Sequence, residues 1–101
     1  MLYRLFATMN RDTRHFEHGA KVEILDVPPS RHRVLVRGRH RDHTRRVEAW
    51  VAPDALAAPV RQFWDAGILV TEPFLLVPGY ISPACDPEFT DKAWYTPQEV
   101  T

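Results

Sequence analysis

Apolar residues in the first half of the chain recur at every second position, the period of a strand with one buried face. LYRLFAT at 2–8 puts Leu2, Arg4, Phe6 and Thr8 on one side and Tyr3, Leu5 and Ala7 on the other, which predicts a first strand. The polar run NRDTRHFEHG then reads as a loop ending at Gly19. AKVEILDV at 20–27 is β-branched and alternating, and Pro28 and Pro29 stop it because proline has no N–H for a ladder. RHRVLVR at 31–37 and RRVEAWV at 45–51 predict a third and a fourth strand. They are joined by GRHRDHT, a loop too long for a two-residue hairpin turn.

After Val51 the period changes. APDALAAPVRQFWDAG offers Asp54 as an N-cap, Pro59 as a first-turn residue and Gly67 as a C-terminal stop, which predicts a short helical turn and then a helix over 59–66. ILVTEPFLLV at 68–77 is strand-like, but Pro73 makes it bend or lie at an edge. Pro78-Gly79 has the residue order of a type II turn. The remainder, YISPACDPEFTDKAWYTPQEVT, is proline-punctuated, acidic and aromatic. Tyr80, Ile81, Phe89, Trp94 and Tyr95 are too much apolar surface for a solvated tail, so a strap across the sheet is expected, with a partner protein as the other way to bury it.

These elements predict one mainly β domain over 1–101, with a core over 1–77 and an irregular C-terminal strap over 78–101. Four to five short antiparallel strands with one short helix suggest a small, strongly bent barrel of the SH3-like kind. VEAWVAPDAL resembles the end of many such barrels, where a strand is followed by a short helical turn and a leucine. That resemblance implies an architecture and no particular activity. The competing fold is α+β, with the 59–66 helix packed across an open antiparallel sheet. In either fold the alternation assigns Leu5, Val22, Ile24, Val34, Val36, Val47, Ala49 and Val51 to the buried face.

Composition narrows the function classes. At 45% hydrophobic and 26% charged the chain is globular rather than disordered. MLYRLFATMNRDTRHFEHG scatters arginine through its apolar residues, which argues against a signal peptide or a membrane span and leads us to expect a cytoplasmic protein with no membrane partner. The single cysteine, Cys85, cannot form an internal disulfide, and Pro83, Ala84, Asp86 and Pro87 supply no cation to activate it. Asp26, Asp54 and Glu72 have no partner at a spacing that suggests acid–base work, so no catalytic residue is assigned. His15 and His18 form an H-x-x-H pair, as do His40 and His43, while His32 stands alone. In arginine-rich polar loops such histidines read as surface residues, and neither a metal nor a cofactor is predicted.

The charge distribution points to one surface. The formal net charge is zero, yet SRHRVLVRGRHRDHTRRVEAWV at 30–51 sets seven arginines against the single acid Asp42 in its basic stretch 31–46. Pairing the third and fourth strands with their apolar residues on one face sets Val36 opposite Val47 and Val34 opposite Ala49. On the other face it sets Arg37 opposite Arg46, Leu35 opposite Glu48, and Arg33 opposite Trp50. Like charges directly opposite destabilise a sheet, so an anion should relieve them. A nucleic acid, RNA or DNA, would use the arginines as phosphate donors and Trp50 as a stacking platform. An acidic protein surface, including the chain's own acidic half, is the second candidate, and solvent screening the third. The expected function is therefore a non-catalytic module that binds an anionic partner, foremost nucleic acid, through Arg31, Arg33, Arg37, Arg39, Arg41, Arg45, Arg46 and Trp50. The alternative is a structural or regulatory subunit of a larger assembly, docked through the hairpin and through Tyr80, Phe89, Trp94 and Tyr95. Exposure of Trp50 beside the arginines separates the first from the second.

Overall fold

The computed structural model describes residues 2–30 and 32–85. Its strands are β1 (Arg4–Met9), β2 (Lys21–Val27), β3 (Val34–Arg39), β4 (Arg46–Val51), β5 (Leu56–Asp65), β6 (Ile68–Pro73) and β7 (Tyr80–Ile81), with 3-10 turns at Pro53–Ala55 and Pro83–Cys85. They form one open antiparallel sheet in the order β4-β3-β2-β1-β5-β6, while β7 pairs with β2. The fold is mainly β, and no α-helix occurs among the described residues.

The expected 59–66 helix is instead the second half of β5. Val60 to Asp65 pair residue by residue with Pro73 to Ile68, and the two strands meet in a two-residue turn, Ala66-Gly67. Both turn residues have positive φ, 51° and 79°, as a type I′ hairpin requires. The sequence signal misleads because alanine occupies a position where Asn or Asp is usual, so Asp-Ala-Gly looks like a helix terminus. With no helix to pack, the α+β alternative falls. The short turn after Val51 forms as expected, with Ala55 buried beneath it.

The core lies on one face, from Leu5, Ala7 and Met9 on β1 to Ala49 and Val51 on β4. Seven of the eight residues expected there are buried, and Val47 packs partly buried against them. Phe16 reaches into this core from the β1–β2 loop and is fully buried. It passes over Gly38, where a Cβ would stand 2.8 Å from Val22 Cγ1 and 3.2 Å from Phe16 Cε1. That space requirement keeps Gly38 inside β3 rather than in the loop.

The opposite face is not uniformly solvated. Arg4 is fully buried and bonds the equally buried Glu23 through Nε and Nη2. Glu23 also accepts from Arg37 at 2.9 Å. Beyond Ile24, where the β1 pairing ends, β7 takes over the edge of β2. Gly79 N–H donates to Val27 O at 2.6 Å, and Ser82 N–H to Leu25 O at 2.7 Å. The turn before β7 has Gly79 at φ 80° and a Tyr80 N–H to Val77 O bond of 3.3 Å, in keeping with type II geometry.

Candidate functional site

The hairpin of β3 and β4 pairs two residues out of the expected register. Val36 faces Ala49, Val34 faces Val51, Leu35 faces Trp50, Arg37 faces Glu48, Gly38 faces Val47 and Arg39 faces Arg46. The cause is the extension of β3 through Gly38 and Arg39, which shortens the loop to residues 40–45. A shift of two preserves which face each side chain occupies, so the core assignment survives while every cross-strand pair changes. The expected oppositions of Arg37 with Arg46 and of Arg33 with Trp50 are thereby replaced.

Two neighbouring rows now cross the outer face. In the first, Phe6 is opposite Glu23, Glu23 opposite Arg37, and Arg37 opposite Glu48, so charges alternate. In the second, Arg39 is opposite Arg46, and Lys21, two residues before Glu23, comes level with Arg39. Three cations thus lie side by side on consecutive strands. They line a cleft of about 380 Å³ with Phe6, Glu23, Arg37, Gly38 and Thr44. The Lys21 ammonium sits 4.6 Å from the Phe6 ring centre. Partial burial lowers the Lys21 pKa, against the nearby Glu23 carboxylate, which raises it.

At the tip the H-x-x-H pair shapes the loop. His40 Nδ1 accepts from Asp42 N–H at 3.0 Å and His43 Nδ1 from Arg45 N–H at 3.1 Å. Their rings stack at 4.2 Å, and His15 meets His40 edge-on at 5.5 Å. Arg41 joins the two loops, its guanidinium donating to Thr13 O at 2.8 Å and its N–H to His15 O at 2.7 Å. Among the described residues no group of three or more His, Cys, Asp or Glu side chains is arranged to hold a metal.

Trp50 is 48% exposed. It borders a second cleft of about 380 Å³ with Arg11, Arg14, His15, His32 and Arg33. Among the described residues no carboxylate lines this cleft, although Arg11 is paired at its edge with Asp54 at 2.8 Å.

The predicted site residues therefore divide. Arg39 and Arg46 share the cationic row, and Arg33 and Trp50 share the second cleft. Arg37 is engaged with Glu23, Arg41 braces the loops, and Arg45 lies exposed in the loop. Arg31, Phe89, Trp94 and Tyr95 lie outside the described residues. Tyr80 packs inward, stacking on Tyr3 at 5.6 Å and donating to Tyr3 O at 3.3 Å. Burial pushes its hydroxyl up to about 12. Sequence reasoning missed Lys21, whose alternation with Glu23 is visible in the chain, and Arg11, Arg14, His15 and His32, which only the folding of two loops brings to Trp50.

No helix among the described residues is long and apolar enough to cross a membrane. No protein-family model matches the chain, and no curated protein or solved structure matches it either.

Proposed function

We propose that this protein is a non-catalytic module that binds single-stranded nucleic acid along its β3–β4 hairpin. The observation that carries the reading is the half-exposed Trp50 indole at a cleft lined by arginine and histidine and, among the described residues, by no carboxylate. An indole in that setting stacks on an unpaired base while guanidinium groups take the adjoining phosphates. The row of Lys21, Arg39 and Arg46 supplies phosphate donors nearer the tip of the same hairpin. We also infer an SH3-like barrel for the architecture. This is supported by β1 pairing with both β2 and β5 and by the 3-10 turn between β4 and β5.

The test is fluorescence anisotropy of labelled single-stranded and duplex oligonucleotides across a salt series. Log affinity for single strands should fall linearly with log salt, with a slope of about −0.7 for each phosphate neutralised. Trp50→Ala should weaken single strands about tenfold or more and duplexes much less, because stacking needs an unpaired base. Absence of salt-sensitive binding to RNA and DNA near physiological ionic strength sinks the proposal.

The assembly-subunit alternative draws on a different surface, where Ile68 and Leu75 are 66% and 85% exposed along and beyond β6. Nuclease-resistant retention of a partner protein, lost on Leu75→Asp, would favour it.

A further inference from the structure

We infer that the acidic C-terminal segment of this same chain, residues 86–101, docks on the cationic row of Lys21, Arg39 and Arg46 and competes there with nucleic acid. The competition rests on the function proposed above; the docking stands on its own observations.

The first observation is where the described chain ends. β7 holds the chain against β2, Ser82 Oγ lies 3.5 Å from Glu23 Oε2, and Cys85 Sγ lies 3.7 Å from Leu25 O. Burial raises the Cys85 thiol pKa, and Glu48, Asp26 and Glu23 raise it further while Arg37 opposes them. Residue 85 is therefore within electrostatic reach of β2, β3 and β4 at the alternating row. The cationic row is the next one, about 7 Å away at two residues per strand. Sixteen residues extend to about 50 Å, several times the roughly 10 Å spanned by three adjacent strands.

The second observation is charge. The segment holds Asp86, Glu88, Asp91 and Glu99 against Lys92, and three of these acids fall within six residues of Cys85. They meet three cations set side by side on consecutive strands. The segment also carries Phe89, Trp94 and Tyr95, and the cleft is lined by the Phe6 ring. Tethering keeps such a segment at millimolar effective concentration, so a weak contact suffices to occupy the cleft.

The experiment uses the full chain. In one variant Asp86→Asn, Glu88→Gln and Asp91→Asn remove the charge. In a control, Asp86→Glu, Glu88→Asp and Asp91→Glu keep it. Backbone amide shifts are recorded for Lys21, Gly38, Arg39, Thr44 and Arg46, and affinity is measured for a fluorescent thymidine 12-mer. Docking predicts that neutralisation moves these amide signals, that the control leaves them in place, and that wild-type signals do not depend on protein concentration. Competition predicts an affinity gain of about tenfold on neutralisation, as expected for three exposed ion pairs each worth roughly a factor of two. Unmoved amide signals overturn the docking whatever the oligonucleotide does. Signals that shift with protein concentration overturn it in favour of a second copy's tail. Moved signals with no oligonucleotide binding by either form uphold the docking and remove the nucleic-acid reading. Moved signals with equal oligonucleotide affinity overturn the competition.

Discussion

Gly38→Ala adds one methyl group at the closest approach of the core to the sheet. The new Cβ would stand 2.8 Å from Val22 Cγ1, 3.2 Å from Phe16 Cε1 and 3.4 Å from Lys21 O. Val22 cannot turn aside cheaply, because a β-branched side chain is stiff at χ1 and this one is 1% exposed in the core. Overpacking of this kind costs about 1–3 kcal/mol. Replacing glycine by alanine within a strand returns about 0.5–1 kcal/mol of backbone entropy. The steric term wins, and a net loss of about 1–2 kcal/mol is expected. For a domain of this size that lowers Tm by roughly 5–15 °C. Thermal and urea denaturation of Gly38→Ala, Val22→Ala and the double variant supply the assay. Because the two residues share one space, Val22→Ala should cost at least about 0.5 kcal/mol less in the Gly38→Ala background than alone. A stabilised Gly38→Ala, or strict additivity, would refute the claim that packing holds Gly38 in β3, and with it the explanation of the hairpin register.

Three other outcomes follow from the same geometry. Glu23→Gln leaves the buried Arg4 charge without its carboxylate and should destabilise by about 3–5 kcal/mol in urea titrations, with most of the loss recovered by the apolar pair Arg4→Met and Glu23→Leu. Tyr80, whose pKa is raised to about 12, keeps its proton in the folded state after the unfolded chain has lost it; its contribution to stability is therefore constant below about pH 10 and is lost as pH rises towards 12, a part of the alkaline loss that Tyr80→Phe should remove in urea titrations across that range. Ala66→Asn places a residue tolerant of positive φ in the β5–β6 turn, where φ is 51°, and should raise stability by about 0.5–1 kcal/mol in the same titrations.

The first four strands are legible because each alternates against one core, and alternation records which face a residue occupies. It does not record register. Gly38 reads as a loop residue since glycine commonly marks one, and the reason it belongs to β3 is the arrival of Phe16 from a loop more than twenty residues earlier. That contact is tertiary and leaves no mark at Gly38 itself. The missed strand after Pro59 has a similar origin. Asp-Ala-Gly is compatible with a helix end and with a hairpin turn, and only the pairing of Val60 to Asp65 with β6 decides between them. Alternation puts Arg4 and Glu23 on the outer side of their strands, but their burial cannot be read from a pattern that treats that side as solvent. The same pattern leaves Trp50 open to a covering segment as much as to solvent.

Arg37, Arg39 and Arg46 sit in two rows of opposite character, which cross β2, β3 and β4 side by side on the outer face. In the row of Glu23, Arg37 and Glu48 the sign alternates from strand to strand, the arrangement in which cross-strand charges stabilise a sheet by a few tenths of a kcal/mol each. In the row of Lys21, Arg39 and Arg46 the same strands set cation beside cation, which costs a similar amount. Burial does not explain the contrast, because Lys21, Arg39 and Arg46 are all exposed and solvation would have tolerated either sign. Nor does composition, since one row along the sheet uses carboxylates in equivalent positions. On the function proposed above, a row of one sign beside an open cleft would draw anions there, and an anion spanning the three strands would offset the repulsion. A polynucleotide backbone and the chain's own acidic segment are both long enough to span it. Because they would meet the same three side chains, any gain in affinity for one raises the threshold for the other.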